Sequence, residues 1–371
     1  MSSKINKIDS LYDFLRSNFY DIDNLLLEFK GKNYDASQAQ MLGKQLEKYK
    51  SLEILKFDLS FNKIRQDGAL YISQSLSQSK NLQKLIIILS SDCYGYNYIG
   101  EVGAQELGIG LAQCSNLEHL EINLRYNSIG STGVINLAKQ LKNCISLQSL
   151  ILNLKNNSLF DKGAIGLAEG IGECSKLSDI KLYLKYNNIG NQACYAFGIG
   201  LSKCKSLKNL FVDLSGQNQE YNRIADIGAI QLGLGLSNCL GLNILEIKLN
   251  QQPINQEGAS GLLQSLNRIK SLRILTIHFG FIIPMVCRFI KITYNIGRYK
   301  SPIYSMTEFL PNQFRRIDNQ GAYDIATQLV QSKLSVVQLY FKETINPHQI
   351  AIIKSKLKEC ATLVDLKVIQ I

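Results

Sequence analysis

The chain has 371 residues, 46% of them hydrophobic, and a formal net charge of +11 from 41 Lys and Arg against 30 Asp and Glu. That apolar content excludes a disordered chain, and the charge points to an acidic partner or surface, although Lys and Glu also mix along many helices as a solvated face. Only three histidines occur, His119, His278 and His348, too scattered for a His-based catalytic site.

Taken in order, Met1 to Asn24 is largely polar and lacks an apolar core segment, so no signal peptide is expected. Residues 1–21 read as an N-terminal capping segment, with Asp9 expected to cap a helix running through Leu11, Phe14 and Leu15. From Ile22 onward, Leu25, Leu27 and Phe29 alternate inward, followed by a degenerate turn at Lys32-Asn33-Tyr34. Further copies of the same pattern open at Leu52, Leu82, Leu117, Leu147, Leu177, Leu207, Leu242 and Leu272. The clearest run is Asn116 to Cys204, where Leu117, Leu147 and Leu177 are 30 residues apart, as are Cys144, Cys174 and Cys204. A fixed period of this size is the signature of a solenoid, so length does not count domains here.

Within the copy that opens at Leu117, Leu120, Ile122 and Leu124 alternate with Glu121, Asn123 and Arg125, the period-two pattern of a strand. Tyr126-Asn127-Ser128-Ile129-Gly130 follows as a turn, with an Asn amide able to bond backbone groups left unpaired by the bend. Gly133, Val134, Leu137, Ala138 and Leu141 then fall at helical spacing. One copy is therefore strand, turn and helix, and its apolar face is buried only by stacking on its neighbours.

The pattern L-x-x-L-x-L-x-L-x-x-N-x-I-x-x-x-G-A resembles the leucine-rich repeat, closest to the ribonuclease-inhibitor-like class, with the Asn two residues later than usual. The resemblance implies an α/β leucine-rich-repeat solenoid of about 30 residues per repeat. It also implies a horseshoe, with a parallel sheet on the concave face and helices on the convex face. The solenoid is expected over 22–371, interrupted at about 280–313, where the pattern breaks after Ile277 and Phe279. That insertion carries Arg288, Lys291, Arg298 and Lys300 among aromatics, and reads as a functional loop or as translated non-coding sequence. A membrane-touching segment is the poorer reading, because His278, Pro284, Arg288 and Lys291 interrupt the apolar run.

The copies opening at Leu82 and Leu207 are five residues longer, with the excess at Ser91–Tyr96 and Gly216–Tyr221, both on the same rim, where repeat proteins place recognition loops. Cys114, Cys144, Cys174, Cys204, Cys239 and Cys360 each stand three residues before a repeat's first Leu. Such a column fits buried thiols in a reducing, cytoplasmic setting, with cytoskeletal or nuclear association as a variant of it. No C-x-x-C spacing is present, so neither a metal site nor a redox ladder is expected, and no cofactor. The Gly-x-Gly pairs at Gly108/Gly110, Gly170/Gly172, Gly198/Gly200 and Gly233/Gly235 lie late in helices and read as close packing, not as a dinucleotide fingerprint.

Residues alternating with the inward leucines face the open side. Arg125, Lys155 and Lys185 form one column there, a positive ladder suited to a partner's carboxylates or simply to water. Lys181 lies beside it, and Ile86, Ile88, Ile151, Tyr183, Phe211 and Tyr340 point outward where polar residues are expected, either as a protein-binding patch or under a flanking loop. These ten are the candidate partner-binding residues of a non-catalytic protein-binding scaffold with an acidic protein partner. Nucleic acid is disfavoured, since no recognised module or stacking platform is present. Two alternatives stand: a structural subunit of a cytoskeletal or other large assembly, and a GTPase-activating protein resembling the Ran regulator, for which Arg65 is the one early rim arginine.

Overall fold

The computed structural model describes residues 6–18, 20–94, 96–216, 221–283, 286–296, 302–308, 336–341, 351, 355 and 365–370. It divides into two compact units, Met1–Ile189 with Ala196–Leu207, and Gly190–Tyr195 with Lys208–Ile371.

The first unit opens with β1 (Asn6–Ile8) and α1 (Leu11–Arg16). It then alternates β2 (Asn24–Glu28), α2 (Ala36–Leu46), β3 (Ile54–Asp58), α3 (Arg65–Ser77), β4 (Lys84–Ile88) and α4 (Gly100–Leu111). The alternation continues with β5 (His119–Asn123), α5 (Gly130–Leu141), β6 (Ser149–Asn153), α6 (Phe160–Gly172) and β7 (Asp179–Tyr183). α7 (Asn191–Ser202) has residues in both units. Each strand from β1 to β6 pairs in parallel with the next, and the register puts equivalent repeat positions side by side: Leu85, Leu120, Leu150 and Ile180 form one row, and Ile87, Ile122, Leu152 and Leu182 the next.

Those rows are the core. The alternating leucines at 120, 122 (Ile) and 124 are at most 2% exposed, and the opening leucines of the repeats, Leu52 through Leu272, are all buried. Fully burying such a side chain contributes about 1.5–3 kcal/mol, and the repeat supplies several per copy. The helix face expected from spacing is the one observed, with Gly133, Val134, Leu137, Ala138 and Leu141 buried in α5.

Two further columns explain the repeat's fixed polar and small residues. Asn62, Asn97, Asn127, Asn157 and Asn187 are buried just after their strands. Asn157 donates through Nδ2 to Leu124 O (2.9 Å) and Leu154 O (3.0 Å), and its Oδ1 accepts from the N–H of Asn127 (2.9 Å) and Ile129 (3.1 Å). Each amide therefore ties its own turn to the preceding repeat, at about 1 kcal/mol net per bond. The glycine that precedes the helical Ala lets neighbouring helices touch: a Cβ on Gly103 would lie 3.1 Å from Ala69 Cβ and 3.2 Å from Gln66 Cα. The Gly-x-Gly pairs serve the same end, since a Cβ on Gly170 would lie 2.7 Å from the Ala138 carbonyl carbon.

Cys114, Cys144, Cys174, Cys204 and Cys239 are buried free thiols, while Cys360 lies outside the described residues. Burial pushes the Cys144 and Cys174 thiols up to about 12 and those of Cys114 and Cys204 to about 11. They are neutral packing groups, and Cys144 Sγ sits 3.2 Å from Leu111 O.

At the N-terminus one expectation is corrected. Helix α1 is capped by Ser10, whose Oγ accepts from Asp13 N (3.4 Å), and not by Asp9. Ser10 has the extended backbone of a cap residue, which puts its hydroxyl over the first turn. Leu11 and Phe14 are buried, as their spacing predicts, but Leu15 is 37% exposed. The three-residue strand β1 ahead of the helix carries no alternation strong enough to announce it.

The second unit contains β8 (Asn209–Asp213), α8 (Asp226–Leu236), β9 (Ile244–Asn250), α9 (Gln256–Leu266) and β10 (Ile274–Ile283). β8, β9 and β10 pair in parallel. Here Asn222 keeps the turn role, and Gln252 takes it in the following repeat, with Nε2 on Leu214 O (3.0 Å) and Oε1 accepting from Ile224 N (2.6 Å). Where the repeat pattern breaks, β10 runs on to Ile283 and pairs antiparallel with β11 (Val286–Ile296), which pairs antiparallel with β12 (Pro302–Glu308). β13 (Val336–Phe341) and β14 (Asp365–Gln370) follow in parallel. The rest of the expected insertion, at 284–285, 297–301 and 309–313, lies outside the described residues.

Candidate functional site

On the first unit's open sheet face, the outward positions are set by the same register as the core. One row reads Leu26, Lys56, Ile86, Glu121, Ile151, Lys181, and the next Glu28, Asp58, Ile88, Asn123, Asn153, Tyr183. Hydrogen bonding between repeats continues past the strand ends. Tyr126 N donates to Lys155 O and Asn156 N to Lys185 O, both at 3.0 Å. Arg125, Lys155 and Lys185 are therefore true neighbours, about 4.8 Å apart along the rungs.

Their backbone is held locally. The Arg125 and Lys155 N–H groups each donate to the Asn two residues earlier, Asn123 Oδ1 and Asn153 Oδ1, at 3.2 Å. The next position, Tyr126, Asn156 or Tyr186, is left-handed, with φ of 57°, 56° and 64°. That conformation is uncommon for a tyrosine. It is held by the buried Asn that follows, and it sets the two rings beneath the cations. Arg125 lies 4.8 Å from the Tyr126 ring centre, and Lys155 and Lys185 lie 4.7 and 4.5 Å from that of Tyr186. Such contacts contribute about 0.5–1 kcal/mol at exposed sites and offset part of the repulsion between stacked cations. Arg125 and Lys185 make no ion pair among the described residues, and Arg125 Nε is a buried donor with no hydrogen-bond partner there. Strand alternation does not pick out the two rings, because they follow the strand; the signal that marks them is the run cation-Tyr-Asn in Arg125-Tyr126-Asn127 and Lys185-Tyr186-Asn187.

Residues 113–138, which span β5, the Asn127 turn and most of α5, match the leucine-rich repeat family. With the parallel strands that alternate with helices, this match fits a leucine-rich-repeat protein. No curated protein matches it.

The other candidate residues are only partly brought together. Ile86 and Ile88 share β4, but Ile151 is separated from Ile86 by Glu121 and flanked on its other side by Lys181, so the apolar side chains form no continuous patch. Tyr183 is half-buried on β7, two residues before Lys185, and Lys181 is exposed. Phe211 belongs to the second unit, where Lys248 lies 5.0 Å from its ring centre, and the Glu246 carboxylate meets His278 Nε2 (3.1 Å) and Lys248 Nζ (3.7 Å). Tyr340 lies on β13, and its side chain is outside the described residues.

Two rims complete the first unit. At the strand ends, the longer loop after β4 exposes Tyr94 (83%) and Tyr98 (59%), while Tyr96 packs edge-on against Phe61 at 6.1 Å. Of the matching loop after β8, residues 217–220 are outside the described residues. At the strand starts, an open polar depression of about 580 Å³ is lined by Ser51, Glu53, Asn81, Gln83, Asn116, Glu118 and Ser146. Arg65 is exposed and opens α3 in a left-handed conformation (φ 58°), its N–H on Asn97 O at 2.7 Å. No helix among the described residues is long and apolar enough to cross a membrane.

Proposed function

We propose that this leucine-rich-repeat protein is a non-catalytic scaffold that binds a protein partner through the open sheet face of its first unit, and that the partner presents acidic groups to Arg125, Lys155 and Lys185. The observation that carries the reading is the cation column: three positive side chains in register, steadied by two tyrosine rings, with no carboxylate bound to Arg125 or Lys185 among the described residues. Lys181 and Tyr183 extend that surface, and Ile86, Ile88 and Ile151 supply separated apolar contacts to it. The buried free thiols support a reducing, intracellular setting.

The test is capture by the tagged full chain from its own cells at low and high salt, beside the variant Arg125→Glu, Lys155→Glu, Lys185→Glu. A partner retained by the wild type at low salt and lost by the variant and at high salt is expected. A partner held equally by both chains would remove the cation column from the interface.

A further inference from the structure

The spacing of the cation column restricts the shape of what it binds. Resting on the reading above, we infer that the first unit's sheet face docks an acidic α-helix of a partner protein, its axis running across strands β5, β6 and β7. The three rungs from Arg125 to Lys185 span about 9.6 Å at roughly 4.8 Å per strand. A helix sets carboxylates at i, i+4 and i+7 along about 10.5 Å of one face, at 1.5 Å per residue. Neighbouring side chains on that face are about 5–6 Å apart, close to the rung spacing. An extended peptide has same-face side chains at i, i+2 and i+4 over about 13 Å, a step of roughly 6.6 Å that drifts out of register by the third cation.

The remaining outward residues fit the same occupant. The row that holds Glu121, Ile151 and Lys181 lies four residues before the cation column, roughly 13 Å away along the strands, about the width of a helix with its side chains. Between the rows lie Asn123 and Asn153, whose Oδ1 atoms are turned onto their own backbone, and Tyr183. The surface under the helix axis is thus modestly polar, with charge at both margins. The far margin alternates negative, apolar and positive, so it also sets direction: the partner's second edge carries a cation opposite Glu121 and an acid opposite Lys181. Arg125 provides the fixed end. Its buried, unpartnered Nε gains a bond if the guanidinium leaves Tyr126 for a carboxylate, which it can grip bidentately.

The probes are three labelled anions of equal net charge, titrated into the full chain by fluorescence anisotropy. The first is an alanine-rich helical peptide with Glu at i, i+4 and i+7, Leu on the adjacent stripe, and Lys and Glu on the second edge. The second has the same composition interrupted by prolines to keep it extended. The third is a single-stranded oligonucleotide. The inference expects the helical peptide to bind at least tenfold more tightly than either of the others. It also expects the Arg125→Gln, Lys155→Gln, Lys185→Gln variant, with unchanged circular dichroism and Tm, to lose that preference. Equal or tighter binding of the extended peptide or the oligonucleotide, still abolished by the variant, overturns the helix and leaves the anionic site standing. Binding of every probe that ignores the variant, or no binding at all, overturns both.

Discussion

Two columns run side by side through the first unit, each with one residue per repeat. The asparagines at 97, 127, 157 and 187 are buried, and their amides bond the backbone of their own and the neighbouring repeat. The cations at 125, 155 and 185, two residues earlier, stand at the surface on tyrosine rings. The period is the same and the energetics are opposite. An amide that satisfies four backbone groups has nothing left for a ligand, while Arg125 and Lys185, which make no ion pair among the described residues, still have their strongest interaction to make. On the proposed reading, the repeat separates folding from binding within a three-residue stretch, Arg125-Tyr126-Asn127, with the tyrosine as the joint between them.

The sharpest way to break that comparison is to disturb the buried column. Asn157→Leu strands the N–H groups of Asn127 and Ile129 and the carbonyls of Leu124 and Leu154, at about 1–3 kcal/mol each. Urea denaturation should show a loss of about 4 kcal/mol or more, or no cooperative folding of the first unit. Next in size is Gly170→Ala, which forces a methyl against the backbone of Ala138 in the neighbouring helix, for a loss of about 1–3 kcal/mol in the same assay.

The thiol column gives a pH test. The folded thiols titrate near 11–12 against an ordinary value of 9.0, so folding holds their protons more tightly than the unfolded chain does. Their contribution is complete below about pH 9 and falls as pH rises toward 12. The urea midpoint should accordingly decline across that window, and a Cys144→Ala, Cys174→Ala variant should decline less. At neutral pH a thiol reagent should label exposed Cys93 well before any of the six buried cysteines among the described residues, Cys194 included. The smallest effect is expected at the surface pair Lys142–Glu173, 2.9 Å apart, where Glu173→Gln should change stability by less than about 1 kcal/mol.

The period, the inward rows, the Asn turn and the open-face positions of Arg125, Lys155 and Lys185 are all legible in the sequence. They follow from alternation and spacing, which the backbone obeys repeat after repeat. What spacing does not encode is where a side chain ends. The pairing of Lys155 and Lys185 on one ring depends on the left-handed φ of Tyr186, a property of the turn and not of the strand. The apolar residues Ile86 and Ile151 share one outward column, and the strand register places Glu121, from the repeat between theirs, next to both. Gln252 is a similar case: it takes the Asn role with one extra methylene, and a search for Asn passes over it.

The measurement that tests the division of labour most directly is urea unfolding of the Arg125→Gln, Lys155→Gln, Lys185→Gln variant beside the wild type at low ionic strength. If the cation column is reserved for a partner, the variant is as stable as the wild type within about 1 kcal/mol, or slightly more stable, because the repulsion between stacked like charges disappears and only weak cation–ring attractions go with it. A drop of more than about 2 kcal/mol would mean that the cations hold the fold, as the asparagines do, and would contradict their assignment to binding.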